Sequence, residues 1–533
     1  MGALMLSIVV AQPLLQGGKY LRTYTDEFNA YRHSVKAIGG YWDASFTLRH
    51  RLDQMEDWLT DGLGRHVVVK DDALQVVWEG FVDKVTITYG PISVVCGPLS
   101  DVANIVSVNY SSGGTVQTSW KYDAASIAKY GFFQKVLSAS NITAAEATQI
   151  RDQYLHEHCR PEIKQDVGTS NHEANIIIDC LGYVHYLDKT YYEVPNGGSA
   201  DELAVRIGIT QKLKLAMTVE RNEILTCQQL LANNGFQTAG AGTPDVFANW
   251  TEHAGVGSIA QVAIGRPNSP DADNPYSAKL TTALEAANRD TYMYQELTLT
   301  PEKSYAMSVW HKGSSSGTAY SAKRHGSSAL RWGSIFGHAD AEWMKCASSF
   351  YTPAGVSLVD FFLYGPSNIG TQPYNYFDDV RVVDYPHVTE NTYEVYMLEK
   401  DTKTAWTVIK DLLAYGDSSN NRYLFGVYAD RTPYYLAAPT TFEYHYRTLD
   451  NKHQFTSVMG EAINDWNVLP GKWVRFNDFL VGASEIADLN SDPRAMFIEE
   501  VRYSADEGLT LNAGRLSPLQ QALYKLGIMS IGD

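Results

Sequence analysis

Between Asn233 and about Asp384 the chain changes character and then changes back. On either side it mixes aliphatic strands with capped helices. Inside, Gly, Ser, Ala, Thr and aromatic residues dominate, and short alternating runs recur at roughly 10–15-residue spacing with turn residues between them, a pattern of β-sandwiches and jelly rolls. A chain that breaks style and then resumes it is most simply a discontinuous body hosting a guest domain, which joins at two close points and keeps its own core. The expected fold class is mainly β with short helices (α+β). The expected division is an N-terminal β-barrel domain over 1–112, a helix-containing mixed segment over 113–232, an inserted β-sandwich over 233–387, and the remainder of the body over 388–533.

Local signals in the body support this. Leu4–Val10 reads as a first buried strand. Val85, Ile87 and Tyr89 alternate with Lys84, Thr86 and Thr88, the period of a half-buried strand, and Gly90-Pro91 predicts a turn after it. A short helix is expected around Asp53–Leu59, ended by Gly62 and Gly64. Thr143 and Glu146 form a capping box, in which hydroxyl and carboxylate each satisfy an orphan amide of a first helical turn. Asp123 caps a helix closed by Gly131, and Thr404 one closed by Gly416. Ser517-Pro518 predicts a last helix carrying Leu519, Leu523 and Leu526.

Gross composition excludes several function classes. The net charge of −17 repels phosphate backbones, and no Lys/Arg run offers a local exception, so no nucleic-acid partner is expected. No run of 18 apolar residues is present, so no membrane span is expected. Five widely spaced cysteines without a CxxC argue against a disulfide framework and for folding in a reducing cytoplasm.

Catalytic signals are weak. Neither GxSxG nor GxxxxGK[ST] occurs. His156-Glu157-His158-Cys159 lacks the spacing that puts two histidines on one helix face. Asp378-Asp379 and Glu499-Glu500 are neighbours on expected strands, so their side chains diverge rather than face each other across a cleft. The chain is read as a binder and not an enzyme. The alternatives are an extracellular polysaccharide hydrolase or depolymerase with an appended binding module, and a purely structural protein with a decorative insert.

Four pieces of the insert, in order, resemble jelly-roll carbohydrate-binding modules: Leu231-Ala-Asn-Asn-Gly-Phe-Gln237, Ser304-Tyr-Ala-Met-Ser-Val-Trp-His-Lys312, Glu342-Trp343 leading to Phe350-Tyr-Thr-Pro353, and Tyr376-Phe-Asp-Asp-Val-Arg-Val-Val383. Tyr305, Met307 and Val309 share one face of their strand and suit a core. Trp310 then stands on the other face beside small residues, a flat platform for the apolar face of a sugar ring. Tyr292 and Tyr294 share a face of the preceding strand and are expected to flank it. Trp250 is a loop-side candidate for glycan binding, and Trp343 is read as core. The resemblance also implies a structural calcium, with Gln237, Asp378 and Asp379 as candidate ligands. Gln237 is a neutral donor where the family has a Glu. No other cofactor is expected.

The body resembles the hub and tail-tip proteins of tailed phages. The resemblance rests on Leu63-Gly-Arg-His-Val-Val-Val69 followed by Trp78-Glu-Gly-Phe-Val82, on Asp123-Ala-Ala-Ser-Ile-Ala-Lys-Tyr-Gly131, and on Trp466-Asn-Val-Leu-Pro-Gly471, Asp492-Pro-Arg494, Phe497-Ile-Glu-Glu-Val501 and Gly508-Leu-Thr-Leu511. It implies a baseplate-hub ring at the distal tail of a virion, usually a homotrimer. The implied partners are distal-tail, tape-measure and fibre proteins, with host-surface glycan bound through the insert.

Overall fold

The computed structural model describes residues 6–49, 51–111, 115–192, 205–242, 245–255, 257–266, 276–282, 291–313, 317–325, 331–337, 343–366, 374–397, 399, 403–449, 452–476, 489, 492 and 494–513. The expected helix after Ser517 lies outside these residues. The protein is mainly β with short helices, as its patterning predicts.

The body is organised around one long sheet. Its strands run in the order Tyr20–Tyr24, Ser7–Ala11, His66–Lys70, Val76–Cys96, Ile163–Gly182, Gly39–Arg49, Phe28–Lys36, Ala495–Ser504, Trp473–Phe476, Phe442–Leu449, Lys452–Ser457 and Ala462–Ile463. This corrects three expectations. The sheet does not close on itself among the described residues, so the first domain is not a barrel. The 112/113 boundary divides no sheet, because Ile163–Gly182 is hydrogen-bonded between Val76–Cys96 and Gly39–Arg49. Gly90-Pro91 does not end a strand either. Gly90 takes φ 55° within Val76–Cys96, and the partner strand absorbs the irregularity by shifting register near His172. The core of this region packs Trp58 and Trp78 with Ile8, Val69, Phe46 and Ile178.

The capped helices form where their caps place them. Ala144–His158 carries the full Thr143–Glu146 capping box, Asp123 accepts from the Ser126 amide at the start of Ala124–Tyr130, and Thr404 caps Ala405–Tyr415. The short early helix spans Met55–Asp61.

Strands between residues 228 and 384 build two large sheets and a two-stranded ribbon of Ala239–Gly242 with Asp245–Phe247. One large sheet has six strands: Ser258–Val262, Ser277–Thr281, Tyr374–Asp384, Ser304–Gly313 and Met344–Tyr351 in order, with Gln228–Gln229 also on Tyr374–Asp384. The other orders Thr251–His253, Tyr292–Thr298, Leu358–Tyr364, Gly317–Arg324 and Arg331–Gly337. Phe236, Phe247, Met307, Val309, Phe350, Phe361 and Phe377 belong to the core between them. The sandwich therefore has a core of its own.

The guest is nevertheless welded to its host. The helix Ile209–Thr218 is buried along nearly its whole length. It packs on the outer face of the six-stranded sheet, where Ala306, Ala347 and Val383 join the cluster of Leu213 and Met217. Lys214, fully buried, donates to the Ser304 carbonyl (2.7 Å), Asp384 (3.0 Å) and Glu390 (2.9 Å). Nearby, Glu223 of the body meets Lys345 (2.8 Å), Arg266 (3.2 Å) and Arg381 (3.4 Å) of the insert. Burial alone would raise the Glu223 carboxyl, but these three cations hold it well below the usual carboxylate range.

Candidate functional site

The five-stranded sheet of the insert turns its other face outward. Along Tyr292–Thr298 the even positions Tyr292, Tyr294 and Glu296 point away from the core that takes Met293. Register makes this a grid. Tyr292 is paired with Tyr364, Tyr294 with Phe362 and Glu296 with Asp360 on the next strand. On the opposite side His253 pairs with Tyr292 and Thr251 with Tyr294. Beyond Leu358–Tyr364, Ser321 faces Phe362 and Lys323 faces Asp360. Since successive side chains alternate between faces, all these residues share one surface.

Their rings form a continuous aromatic strip. Centroid separations are 4.8 Å for His253–Tyr292, 5.6 Å for Tyr292–Phe362, 5.0 Å for Tyr294–Phe362 and 5.7 Å for Phe362–Tyr364. Tyr292, Tyr294 and Phe362 are half-buried and His253 is exposed, whereas Tyr364 is buried beneath the end of the strip. The Lys323 ammonium lies over the Phe362 ring (4.2 Å) and the Tyr364 ring (4.9 Å). At one end His325 Nδ1 contacts Glu296 (2.8 Å) and Asp360 (2.9 Å). The hydrogen bond to Asp360 and the charges of both carboxylates raise the His325 pKa. Apolar ring area framed by donors and acceptors is the surface that a sugar needs: rings stack on its C–H face, and the polar rim holds its hydroxyls.

Of the residues singled out from sequence, Tyr292 and Tyr294 lie at the centre of this strip rather than beside Trp310. They stand on the other sheet of the sandwich. Trp310 is no platform: it is 1% exposed. The alternation along its strand is as read, with Tyr305, Met307 and Val309 inside, but its opposite face is covered, partly by the body and partly by other residues of the insert. Phe132 lies 5.3 Å from the indole and the Arg266 guanidinium 5.0 Å from it, and Ile105, Ile127 and Trp343 complete the cluster. Trp250 is also buried, packed on Phe236 at 5.5 Å, and its indole N–H donates to the Asn233 carbonyl. Phe362, Tyr364, Lys323, His253, Glu296, His325 and Asp360 were missed. Phe361-Phe362-Leu363-Tyr364 reads as an unbroken apolar run, yet Asp360 two residues before Phe362 marks the outward set.

The residues named for calcium do not fit a calcium cage. Asp378 accepts from the amides of Arg266 and Asp379, both at 2.8 Å. Asp379 accepts from Asn234 (3.0 Å) and from the Arg266 guanidinium (2.8 Å). The cation these carboxylates face is an arginine of the same chain. The Gln237 side-chain amide turns to the Gly235 carbonyl. Burial, reinforced by the adjoining Glu223 charge, pushes Asp379 up to about 7.

No protein-family model and no curated protein matches the chain. Solved structures with a partial likeness include the enzymatically active domain of bacteriophage CBA120 tailspike protein 4, at 14% identity and a TM-score of 0.23, covering 29% of this chain and 21% of that one. A CBM4 module matches at 20% identity and a TM-score of 0.22, covering 28% and 97%. TmCBM61, solved with β-1,4-galactotriose, matches at 17% identity and a TM-score of 0.20, covering 29% and 97%. The chain spans about a fifth of the tailspike domain that it matches.

Proposed function

We propose that the protein is a glycan-binding structural component of a phage tail tip or baseplate hub, and not an enzyme. Its insert contacts host-surface glycan during adsorption through the outward face of the five-stranded sheet. The observation that carries the binding reading is the aromatic strip Tyr292, Tyr294 and Phe362, set in register and rimmed by Lys323, Glu296 and Asp360. The tail placement is supported by the resemblance of the body segments to hub proteins, as are a homotrimeric ring and neighbours among the distal-tail, tape-measure and fibre proteins.

A shallow strip of this kind gives single-site affinities on the order of micromolar to millimolar. Several copies on one tail would raise avidity by about 10²–10⁴ where geometry allows. The full chain is to be applied to a glycan microarray beside Tyr294→Ala and Phe362→Ala. Both variants should lose at least about tenfold in binding with little change in melting temperature, as stacking aromatics at the surface do. Retained binding in both would dismiss this face, and silence of the wild-type array would dismiss glycan binding. Cryo-EM of intact particles tests the tail placement separately: density for the chain belongs at the distal tail end.

A further inference from the structure

The outward grid ends in a polar cluster, two of whose members, Glu296 and Asp360, also rim the aromatic strip. Glu296, His325 and Asp360 each offer one donor atom, and the three atoms lie within 4.8 Å of one another. We infer that they form a binding site for a divalent cation of borderline softness, of which Zn²⁺ is the best fit.

Three observations carry this. The first is the donor set. Zinc takes both imidazole nitrogen and carboxylate oxygen, and an imidazole nitrogen argues against calcium and magnesium, which take oxygens. The second is rigidity. Glu296 and Asp360 are directly paired residues on adjoining strands. His325 directly follows Gly317–Arg324, and its amide donates to the Leu358 carbonyl at 3.2 Å. Two carboxylates directly opposite each other are a repulsive pair in a sheet; His325 stands between them, and a bound cation would take over the charge compensation. The third is geometry. His325 Nδ1 stands 2.8 Å and 2.9 Å from the two oxygens. Around a tetrahedral zinc with bonds near 2.0–2.1 Å, donors sit roughly 3.3 Å apart, so the two His325 contacts need to lengthen by about half an ångström, while the Glu296 and Asp360 oxygens already lie within 4.8 Å of each other. On binding, any proton on Nδ1 leaves to solvent and the nitrogen lone pair goes to the metal. Side-chain exposures of 46% for His325 and 47% for Glu296 leave an entry path and an open coordination position on the outward face. The site shares Glu296 and Asp360 with the rim of the proposed glycan surface, but zinc binding is tested without any sugar, so its failure and that of the glycan reading are distinguishable.

The test uses the full, untagged chain stripped with a chelator and titrated with Zn²⁺ alone against a chromophoric competitor. Wild type should bind an ion with micromolar or tighter affinity. His325→Ala and Asp360→Asn should each lose that ion or weaken it by at least about tenfold, with an unchanged near-UV spectrum showing that the fold is kept. Excess Ca²⁺ should not displace it. No zinc uptake by wild type would overturn the inference. So would equal stoichiometry and affinity in His325→Ala, which would put the ion elsewhere, for example at His156 and His158.

Discussion

At the scale of single residues, burial decides what a side chain can do. Trp310 shows the consequence most directly. Filling the seam between body and insert, it should cost about 3–5 kcal/mol when truncated to alanine. Trp310→Ala should therefore lower the melting temperature sharply, the reverse of the behaviour expected for Tyr294→Ala. Differential scanning calorimetry of the pair separates the two roles. His33 makes a second case. It is buried beside Tyr31 and Tyr503, with one bond to the Tyr31 hydroxyl (3.0 Å) and a buried Nε2 without a hydrogen-bond partner. Burial lowers its pKa from 6.5 to about 3. The folded state thus refuses a proton that the unfolded chain accepts below 6.5. The resulting stability is fully present above that value and is lost as pH falls toward 3. His33→Phe keeps the ring and removes the titration, so its melting temperature should fall less than that of wild type between pH 7.5 and 5. An equal fall would show that His33 contributes nothing to acid sensitivity.

At the scale of elements, legibility in the sequence followed the range of the interaction. The caps at Asp123, Thr143 and Thr404 were readable because donor and acceptor lie within one helical turn. The period-2 pattern separated the two faces of Ser304–Gly313 correctly. It could not tell which face another segment covers, because Phe132 and the helix Ile209–Thr218 are distant in sequence. The same limit hid the aromatic strip, whose Tyr294 and Phe362 become neighbours only through strand pairing. Barrel closure and the 112/113 boundary failed for this reason too, since sheet order is a long-range property. The helix Ile209–Thr218 carries a prediction of its own. Lys214 neutralises Asp384 and Glu390 from within the seam. Removing one partner from a buried ion network leaves charge uncompensated, so Lys214→Met should cost about 3 kcal/mol, read as a lowered urea midpoint. A neutral result would mean that Lys303, which also bonds Asp384, carries the whole pairing.

At the scale of the whole molecule, the sandwich has a core of its own but not an independent surface. Replacing residues 234–384 by a short Gly/Ser linker would expose Leu213, Met217 and Phe132 and strip Glu223 of its three cations. The truncated body should lose its cooperative thermal transition and bind a hydrophobic dye. A sharp transition close to that of the intact chain would show that the seam contributes little. The long body sheet has another consequence, set by the order in which the chain is made. Val35 finds its partner in Val501, so the edge of Phe28–Lys36 leaves the ribosome long before the strand that covers it. An uncovered strand edge is a template for pairing with other chains. During synthesis the body waits with that edge open while the entire insert emerges and folds. Chains interrupted before Ala495 are therefore those most prone to associate through it.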